Sequence, residues 1–222
     1  MIKMVVFDMA GTTVDEDNIV YKTLQHTIND AGYNFSLEQV LTTGAGKEKL
    51  KAIKDIVALS GAVPHEQLSN KIYAAFITQL RVAYDTMELK PQPGAEFTFQ
   101  TLREKNILVI LNTGYDETTA INILEKLRWE TGKQIDGIIT ASDVMHNRPE
   151  PDMILLAMEK FGIEDAGEVV KVGDSIIDIE EGKNAGCSLS IGITTGAHSY
   201  AQLQSARPDN IIHHLTELLP LI

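Results

Sequence analysis

The feature that most constrains the fold is a regular alternation between short apolar runs and amphipathic stretches. The apolar runs show little polar alternation, as buried strands of a parallel sheet do; they are residues 4–7, 107–111, 137–139, 169–172 and 189–193. The amphipathic stretches carry apolar residues at helical spacing and are residues 95–105, 117–128, 152–161 and 176–185. This order predicts right-handed crossovers and an α/β fold with a doubly wound parallel sheet.

One long interruption breaks this alternation directly after the first strand. It contains four helical patterns, at residues 20–31, 37–42, 48–60 and 66–86. Pro91 and Pro93 stiffen the segment by which the chain returns and disfavour continuing the helix. We therefore predict an α/β core of residues 1–17 and 91–222, with a small helical cap domain at residues 18–90.

Composition limits the partners of the chain. The 222 residues carry a net charge of −12 and so lack the excess of Lys and Arg that binds nucleic acids and anionic membranes. The single cysteine, Cys187, leaves no intrachain disulfide and fits a reducing compartment. Neither a secretory signal nor a long apolar stretch is seen, so we expect a cytoplasmic protein with no nucleic-acid or membrane partner. Monomer and homodimer both remain open.

Polar residues follow several of the predicted strands at the point where each strand ends. Ligands of an open parallel sheet bind beyond the carboxyl ends of its strands, so these side chains are the candidates for chemistry. An acid after one strand is often only a helix cap, but several such groups in order on one sheet edge are a specific signal. The candidates are Asp8, Thr113, Gly114, Arg148, Asp174 and Asp178.

In this order the motifs resemble the set that defines the haloacid dehalogenase superfamily, and they span essentially the whole core. The helical interruption resembles the cap domain of that superfamily. The resemblance implies a nucleophile at Asp8 that forms an aspartyl-phosphate, with phosphate bound by Thr113, Gly114 and Arg148. It also implies one Mg²⁺ ion, held by Asp8, Asp174 and the backbone carbonyl of Ala10 and supported by Asp178.

The chemistry agrees with these implied roles. A phosphoryl dianion repels a carboxylate nucleophile, so the attack needs a divalent cation between them. Mg²⁺ prefers a few hard oxygen ligands and keeps several waters, which suits two aspartates and a carbonyl. An arginine at position 148 stands where the superfamily usually has a lysine, and it can bind phosphate oxygens in a bidentate manner.

The sequence departs from most superfamily phosphatases at Ala10. They carry there a second aspartate, which protonates the leaving alkoxide; a methyl group cannot, which costs about 10²–10⁴ in rate. An inactive protein, a substrate with a good leaving group, and a leaving atom other than oxygen would each explain the alanine. A P–C bond fits the last explanation, because the carbanion that it releases needs an electron sink more than a nearby acid.

A lysine that forms an iminium with the substrate supplies such a sink. Lys47 ends the segment Thr43-Gly44-Ala45-Gly46-Lys47 just before a predicted helix. Together with Ala10 and Arg148, this segment resembles the phosphonatase branch of the superfamily, and the resemblance implies that Lys47 is the Schiff-base lysine. The helix N-terminus and the cations Lys51 and Lys54 favour its neutral amine. The alternative is a solvated charge within a lysine cluster.

Three hypotheses follow for the function. The first is a hydrolase that cleaves the P–C bond of a small 2-oxo-phosphonate with Asp8, Mg²⁺ and Lys47. The second is a phosphomonoesterase or phosphomutase for a small phosphorylated metabolite, with a water replacing the missing acid. The third is a binding protein for such a metabolite that has lost turnover. The six histidines show no metal-ligand spacing and are predicted to be surface residues.

Overall fold

The computed structural model describes residues 1–61, 63 and 65–222, and its centre is a six-stranded sheet whose neighbouring strands are all parallel. In spatial order the strands are β5 (Gly137–Thr140), β4 (Leu108–Thr113), β1 (Met4–Asp8), β6 (Val169–Gly173), β7 (Leu189–Ile193) and β8 (Asn210–Ile212). The first strand of the chain therefore lies at the centre of the sheet. The predicted parallel α/β fold is confirmed.

Helices cover both faces of this sheet. They are α5 (Ala95–Glu104), α6 (Glu117–Leu127), α7 (Asp152–Phe161), α8 (Ile176–Ala185) and α9 (Tyr200–Ser205). Alternate residues of β1 enter different apolar clusters: Val5 and Phe7 join one with α5 and α6, whereas Met4 and Val6 join another with α7. A strand buried on both faces has no polar side, which is why β1 is a continuous apolar run.

A helical insertion, α1 (Ile19–Asp30), α2 (Leu37–Gly44), α3 (Lys49–Ala58) and α4 (Glu66–Thr86), follows β1. It is bracketed by two short antiparallel strands, β2 (Val14–Asp15) and β3 (Lys90–Pro91), so the chain leaves and re-enters the core at one place. The four predicted helices are present, while the boundaries of a separate cap domain stay a prediction. Within the described part of the chain, no helix is long and apolar enough to cross a membrane.

Short elements account for what the sequence pattern did not predict. The strands β2 and β3 have two residues each and β8 has three, too few for an alternation to be recognised. The helix α9 has six residues and begins with a capping box at Ser199 and Gln202. A capping box is a sequence-level signal, and it identifies this helix in retrospect.

Candidate active site

Strand register brings the strand-end acids together. Asp8 pairs with Asn112 across β1 and β4, and Phe7 pairs with Val172 across β1 and β6. Asp174 therefore follows the strand beside Asp8, and Asp178 lies in the first turn of α8. All three carboxylates are buried, and each offers an oxygen within 4.8 Å of the others.

The guanidinium of Arg148 lies in the middle of these acids. Its side chain is 1% exposed, and its Nη1 lies 2.6 Å from Asp8 Oδ1 and 3.0 Å from Asp178 Oδ1. Nε donates to Glu181 at 2.9 Å, and Nη2 donates to the backbone carbonyl of Asn112 at 2.9 Å. Despite burial, the neighbouring carboxylates of Asp178, Glu181 and Asp8 hold the pKa of Arg148 well above its ordinary value.

Sequence reasoning missed a second buried cation. Lys171 lies within β6 with no exposure; its Nζ is 3.0 Å from Asp178 Oδ1 and 3.2 Å from Glu181 Oε2, and it donates to Asn112 Oδ1 at 2.6 Å. Asn112 in turn donates to both carboxylate oxygens of Glu181, at 2.9 and 3.0 Å. The sequence does contain a signal for it, a lysine inside an otherwise apolar strand. Because Lys is almost never fully buried without a partner, such a lysine indicates a buried acid nearby.

The charges of this cluster fit a divalent cation. Two buried cations, Arg148 and Lys171, face four buried carboxylates, so two formal negative charges are in excess. Burial, Asp8 and Asp178 raise the pKa of Asp174 well above its ordinary value. Asp174 makes no ion pair with a Lys, Arg or His among residues 1–61, 63 and 65–222. A hard dication beside Asp8 and Asp174 would supply the missing charge.

Glycines leave room for the Asp174 carboxylate. A Cβ at Gly11 would lie 2.5 Å from Asp174 Oδ2, and one at Gly196 would lie 1.9 Å from it. Gly11 also has φ +78°, a conformation that side chains rarely adopt. The backbone N–H of Ala197 donates to the same oxygen at 2.6 Å. The carboxylate is therefore held by backbone on one side, which fixes its position before any ion binds.

The other predicted residues lie on the loops around this cluster. Thr113 is buried, ends β4 one residue beyond the partner of Asp8, and accepts a hydrogen bond from the N–H of Tyr115 at 3.2 Å. Gly114 follows it, and Ala10 lies in the turn after β1, bridged to Val14. Phosphate binding by Thr113 and Gly114 and metal ligation by the Ala10 carbonyl stay predictions.

The loop between α2 and α3 packs directly on this edge of the sheet. A Cβ at Gly114 would lie 2.8 Å from the carbonyl oxygen of Lys47, and one at Gly46 would lie 2.3 Å from Ser175 Oγ. The N–H of Gly46 also donates to the hydroxyl of Tyr21 at 3.0 Å. Such close backbone contact needs glycine on both sides, and it places the helical insertion over the strand ends.

The ammonium of Lys47 pairs with an aspartate of the helical insertion. Its Nζ lies 2.6 Å from Asp55 Oδ2 on α3, and its side chain is 21% exposed. Lys51 also pairs with Asp55, at 3.5 Å. The lysine cluster predicted from the sequence is therefore organised around one aspartate of the insertion, and Lys47 is not brought together with Asp8 and Arg148. Its Schiff-base role stays a prediction.

Lys49, two residues further on, is the buried lysine of this loop. It is 6% exposed; its Nζ donates to the Lys47 carbonyl at 2.8 Å and lies 5.1 Å from the ring centroid of Tyr115 and 5.7 Å from that of Tyr21. Burial lowers the pKa of Lys49, the charge of Asp8 opposes that shift, and the charge of Arg148 adds to it. Lys49 is thus within electrostatic reach of the strand-end cluster.

A second buried polar cluster joins the insertion to the core. Glu16 follows β2, and its Oε2 accepts hydrogen bonds from the hydroxyl of Tyr84 on α4 and, at 3.1 Å, from that of Tyr115 after β4. The two phenolic oxygens are 2.8 Å apart. Burial raises the pKa of Glu16 to about 7, although both phenols and Lys49 oppose the shift. Sequence reasoning missed all three residues, which are far apart along the chain.

One histidine departs from the surface prediction. His198 is only 4% exposed: its Nδ1 accepts from the N–H of Ile176, and its Nε2 lies 3.3 Å from the carbonyl oxygen of Leu41. The ring therefore bridges α8 and the insertion, and the hydrogen bond to Ile176 explains its burial. Burial lowers the pKa of His198, which favours the neutral imidazole that this bonding needs.

Comparison with known proteins agrees with this architecture. Residues 5–191 match the family model described as haloacid dehalogenase-like hydrolase. A phosphoglycolate phosphatase from Agrobacterium fabrum is 31% identical, with 99% of this chain and 91% of that protein covered. A bifunctional phosphonoacetaldehyde hydrolase/aminoethylphosphonate transaminase from Clostridioides difficile is 32% identical over 83% of this chain, which spans only 30% of that longer protein.

Solved structures share the fold as well. A phosphonoacetaldehyde hydrolase-like protein from Oleispira antarctica superimposes with a TM-score of 0.85 at 21% identity, covering 99% of this chain and 91% of that one. At that identity the likeness concerns the fold alone. The family match, which covers most of the chain, and the two relatives above 30% identity carry the assignment. The chain belongs to the haloacid dehalogenase-like hydrolase family.

Proposed function

We propose that the protein is a Mg²⁺-dependent hydrolase that cleaves the P–C bond of a small 2-oxo-phosphonate such as phosphonoacetaldehyde. The observation that carries the proposal is a buried lysine of lowered pKa, Lys49, on the loop that covers a nucleophile site with no acid at Ala10. Formation of an imine requires a neutral amine, which a lowered pKa favours. Cleavage of a P–C bond produces no alkoxide, so it does not need an acid at position 10.

In this proposal Asp8 is the nucleophile and Arg148 serves the phosphoryl group. Asp8 ends the central strand, and Arg148 donates to its Oδ1, which leaves the other oxygen to attack phosphorus. Asp8 and Asp174 would hold Mg²⁺ with the Ala10 carbonyl, and Asp178 would support them. The ion would neutralise charge between the phosphoryl group and the nucleophile. Thr113 and Gly114 would bind the remaining phosphoryl oxygens.

The bonds balance as a hydrolysis. The lysine amine condenses with the substrate carbonyl and releases one water. Asp8 then forms a bond to phosphorus, the P–C bond breaks, and its electron pair becomes part of an enamine. One water hydrolyses the aspartyl-phosphate to inorganic phosphate. A proton adds to the enamine carbon, and a second water hydrolyses the imine, which frees the lysine and the dephosphonylated carbonyl compound.

Two lysines of the insertion compete for the amine role. Lys47 has the sequence position that the phosphonatase resemblance implies, but its ammonium is paired with Asp55. Lys49 is buried, has a lowered pKa and rests against the rings of Tyr21 and Tyr115. The burial of Lys49 favours it as the amine, because burial lowers its pKa, whereas the Lys47 nitrogen is engaged by Asp55. Lys47 would first have to leave Asp55.

A phosphatase for a small phosphate ester is the second candidate, and two observations favour it. The relative named phosphoglycolate phosphatase matches this chain along 99% of its length. The site also holds a buried carboxyl, Glu16, whose pKa of about 7 suits an acid at neutral pH. In that case no lysine forms a covalent bond with the substrate. Loss of turnover altogether would leave only a binding protein.

A panel of three substrates separates these functions. It contains phosphonoacetaldehyde, phosphoglycolate and 4-nitrophenyl phosphate, each assayed for release of inorganic phosphate with Mg²⁺ present. We expect the phosphonate to be the best substrate. Fast release from phosphoglycolate with none from the phosphonate would overturn the proposal in favour of the phosphatase.

Borohydride trapping tests the amine directly. Added during turnover of the phosphonate, it should reduce the iminium to a secondary amine that peptide mapping locates on Lys49. An adduct on Lys47 would support P–C cleavage through an imine but would assign the Schiff base to Lys47. If neither lysine carries an adduct, the imine is rejected. Lys49→Arg should abolish trapping and P–C cleavage but spare 4-nitrophenyl phosphate, since a guanidinium cannot form the imine. The matched control is Lys51→Arg, at an exposed position of the same helix.

A further inference from the structure

The buried cluster of Glu16, Tyr84 and Tyr115 has no assigned part in the steps of P–C cleavage given above. A carboxyl group with 3% exposure and two phenolic partners is costly to bury unless its hydrogen bonds are satisfied. It joins three separate segments: the turn after β2, the last helix of the insertion and the loop after β4. Such a group is a candidate for proton transfer whenever it borders a reaction site.

The cluster borders the candidate active site on two sides. Tyr115 follows Thr113 by two residues, donates its N–H to the Thr113 hydroxyl and presents its ring to the ammonium of Lys49 at 5.1 Å. The charge of Asp8 raises the pKa of Glu16, and the charge of Lys49 lowers it. Glu16 is therefore within electrostatic reach of both the nucleophile and the buried lysine.

Position 10 cannot supply a proton, yet each candidate reaction has a step that needs one: the departing oxygen of an ester, or the enamine carbon that remains after P–C cleavage. We propose that Glu16, held by the phenols of Tyr84 and Tyr115, donates this proton to the leaving group. This assignment rests on the proposed role of Asp8 as nucleophile but not on which bond is cleaved. It gives the function of the missing acid to a residue of the segment that enters the helical insertion.

The proton is accounted for in both reactions. In P–C cleavage the bonding electron pair becomes the enamine, and the Glu16 proton adds to its carbon. In ester cleavage the pair stays on oxygen, and the same proton converts the alkoxide to an alcohol. In each case the Glu16 carboxylate recovers a proton from a water consumed later in the cycle. No other reactant is required.

The environment of Glu16 suits an acid at neutral pH. Burial is the largest cause of its pKa of about 7, and the groups that face it are Tyr84, Tyr115, Lys49 and Asp8. The phenols of Tyr84 and Tyr115 do not compete for its proton at neutral pH, because burial holds the pKa of each well above its ordinary value. A general acid whose pKa lies near the working pH is the most effective.

The test compares leaving groups. Glu16→Gln keeps an oxygen that accepts from both phenols but cannot donate a carboxyl proton. Its turnover of whichever of phosphonoacetaldehyde and phosphoglycolate the wild type prefers should fall by about 10²–10⁴. Hydrolysis of 4-nitrophenyl phosphate should change less than about threefold, because nitrophenolate leaves without a proton. Glu16→Asp should recover part of the loss, and the matched control Glu88→Gln, at a side chain that is 81% exposed, should change neither rate.

Other outcomes overturn the assignment. Equal losses on the aryl ester and the preferred substrate would indicate a structural role for Glu16. A wild type that hydrolyses only the aryl ester would also contradict the proposal, because no leaving group would then need the proton. The test is distinct from borohydride trapping. If no lysine adduct forms, the imine is rejected, but Glu16→Gln should still slow hydrolysis of phosphoglycolate far more than that of 4-nitrophenyl phosphate.

Discussion

Arg148 Nη1 lies 2.6 Å from Asp8 Oδ1, so a buried arginine is paired directly with the proposed nucleophile. The same nitrogen is 3.0 Å from Asp178, while Nε binds Glu181. One guanidinium therefore contacts three carboxylates, two of which have no exposed side-chain area. A buried cation with this many charged partners should also contribute to the stability of the fold.

Removing Arg148 should destabilise the fold. Arg148→Ala removes the cation paired with Asp8 and leaves Asp178 and Glu181 paired with Lys171, and breaking one partner of a buried pair costs about 3–5 kcal/mol. Urea unfolding at neutral pH measures the loss. The control is Arg81→Ala, at an exposed position of α4, which should change stability by less than about 0.5 kcal/mol. Equal stability of the two variants would show that the charge network is not needed for folding.

Mg²⁺ should stabilise the folded protein. The excess of carboxylates over cations, with Asp174 unpaired by a cation within the described residues, predicts that ion binding favours the folded state. At a concentration of about 100 times Kd the gain is about 2.7 kcal/mol, seen as a higher unfolding midpoint. Asp174→Asn should remove most of this gain. The control Asp85→Asn alters a side chain that is 68% exposed and should keep it; a gain that survives Asp174→Asn would place the ion elsewhere.

The pH dependence of stability reports on Glu16. Its pKa rises from 4.5 to about 7 on folding, chiefly through burial, so the folded state holds this proton more tightly than the unfolded chain. Wild-type stability is therefore lost relative to Glu16→Gln as pH rises from about 4.5 to about 7, by about 3 kcal/mol in total. Urea unfolding of both proteins at pH 4.5 and pH 8 measures the change. A difference independent of pH would mean that the pKa of Glu16 is not raised.

The sequence allowed the sheet and the strand-end residues to be predicted because both follow from local pattern. Asp8, Thr113 and Asp174 each follow an apolar run, and parallel strands bring their ends to one edge. Lys171 was not predicted as a site residue, because it lies within a run that was interpreted as an apolar strand. Its partner Glu181 is ten residues later in the chain, on α8, and the contact becomes apparent only when that helix packs on β6.

The parts that the sequence did not predict depend on side-chain direction and on distant contacts. Lys47 and Lys49 are two residues apart on one loop, and periodicity cannot tell which of them turns inward. Glu16 meets Tyr84 and Tyr115 across 68 and 99 residues of chain. Contacts of this kind form only when the helical insertion folds back on the core, and local sequence carries no signal for them.

The most direct test of the account is the covalent intermediate on Asp8. Protein quenched during turnover with Mg²⁺ and then treated with borohydride should carry homoserine at position 8, because borohydride reduces an acyl phosphate to an alcohol. Asp8→Asn should give no homoserine and lose at least about a thousandfold in turnover, since an amide is a poor nucleophile. Homoserine at position 174 or 178, or full phosphate release by Asp8→Asn, would contradict the assignment of Asp8 as the nucleophile.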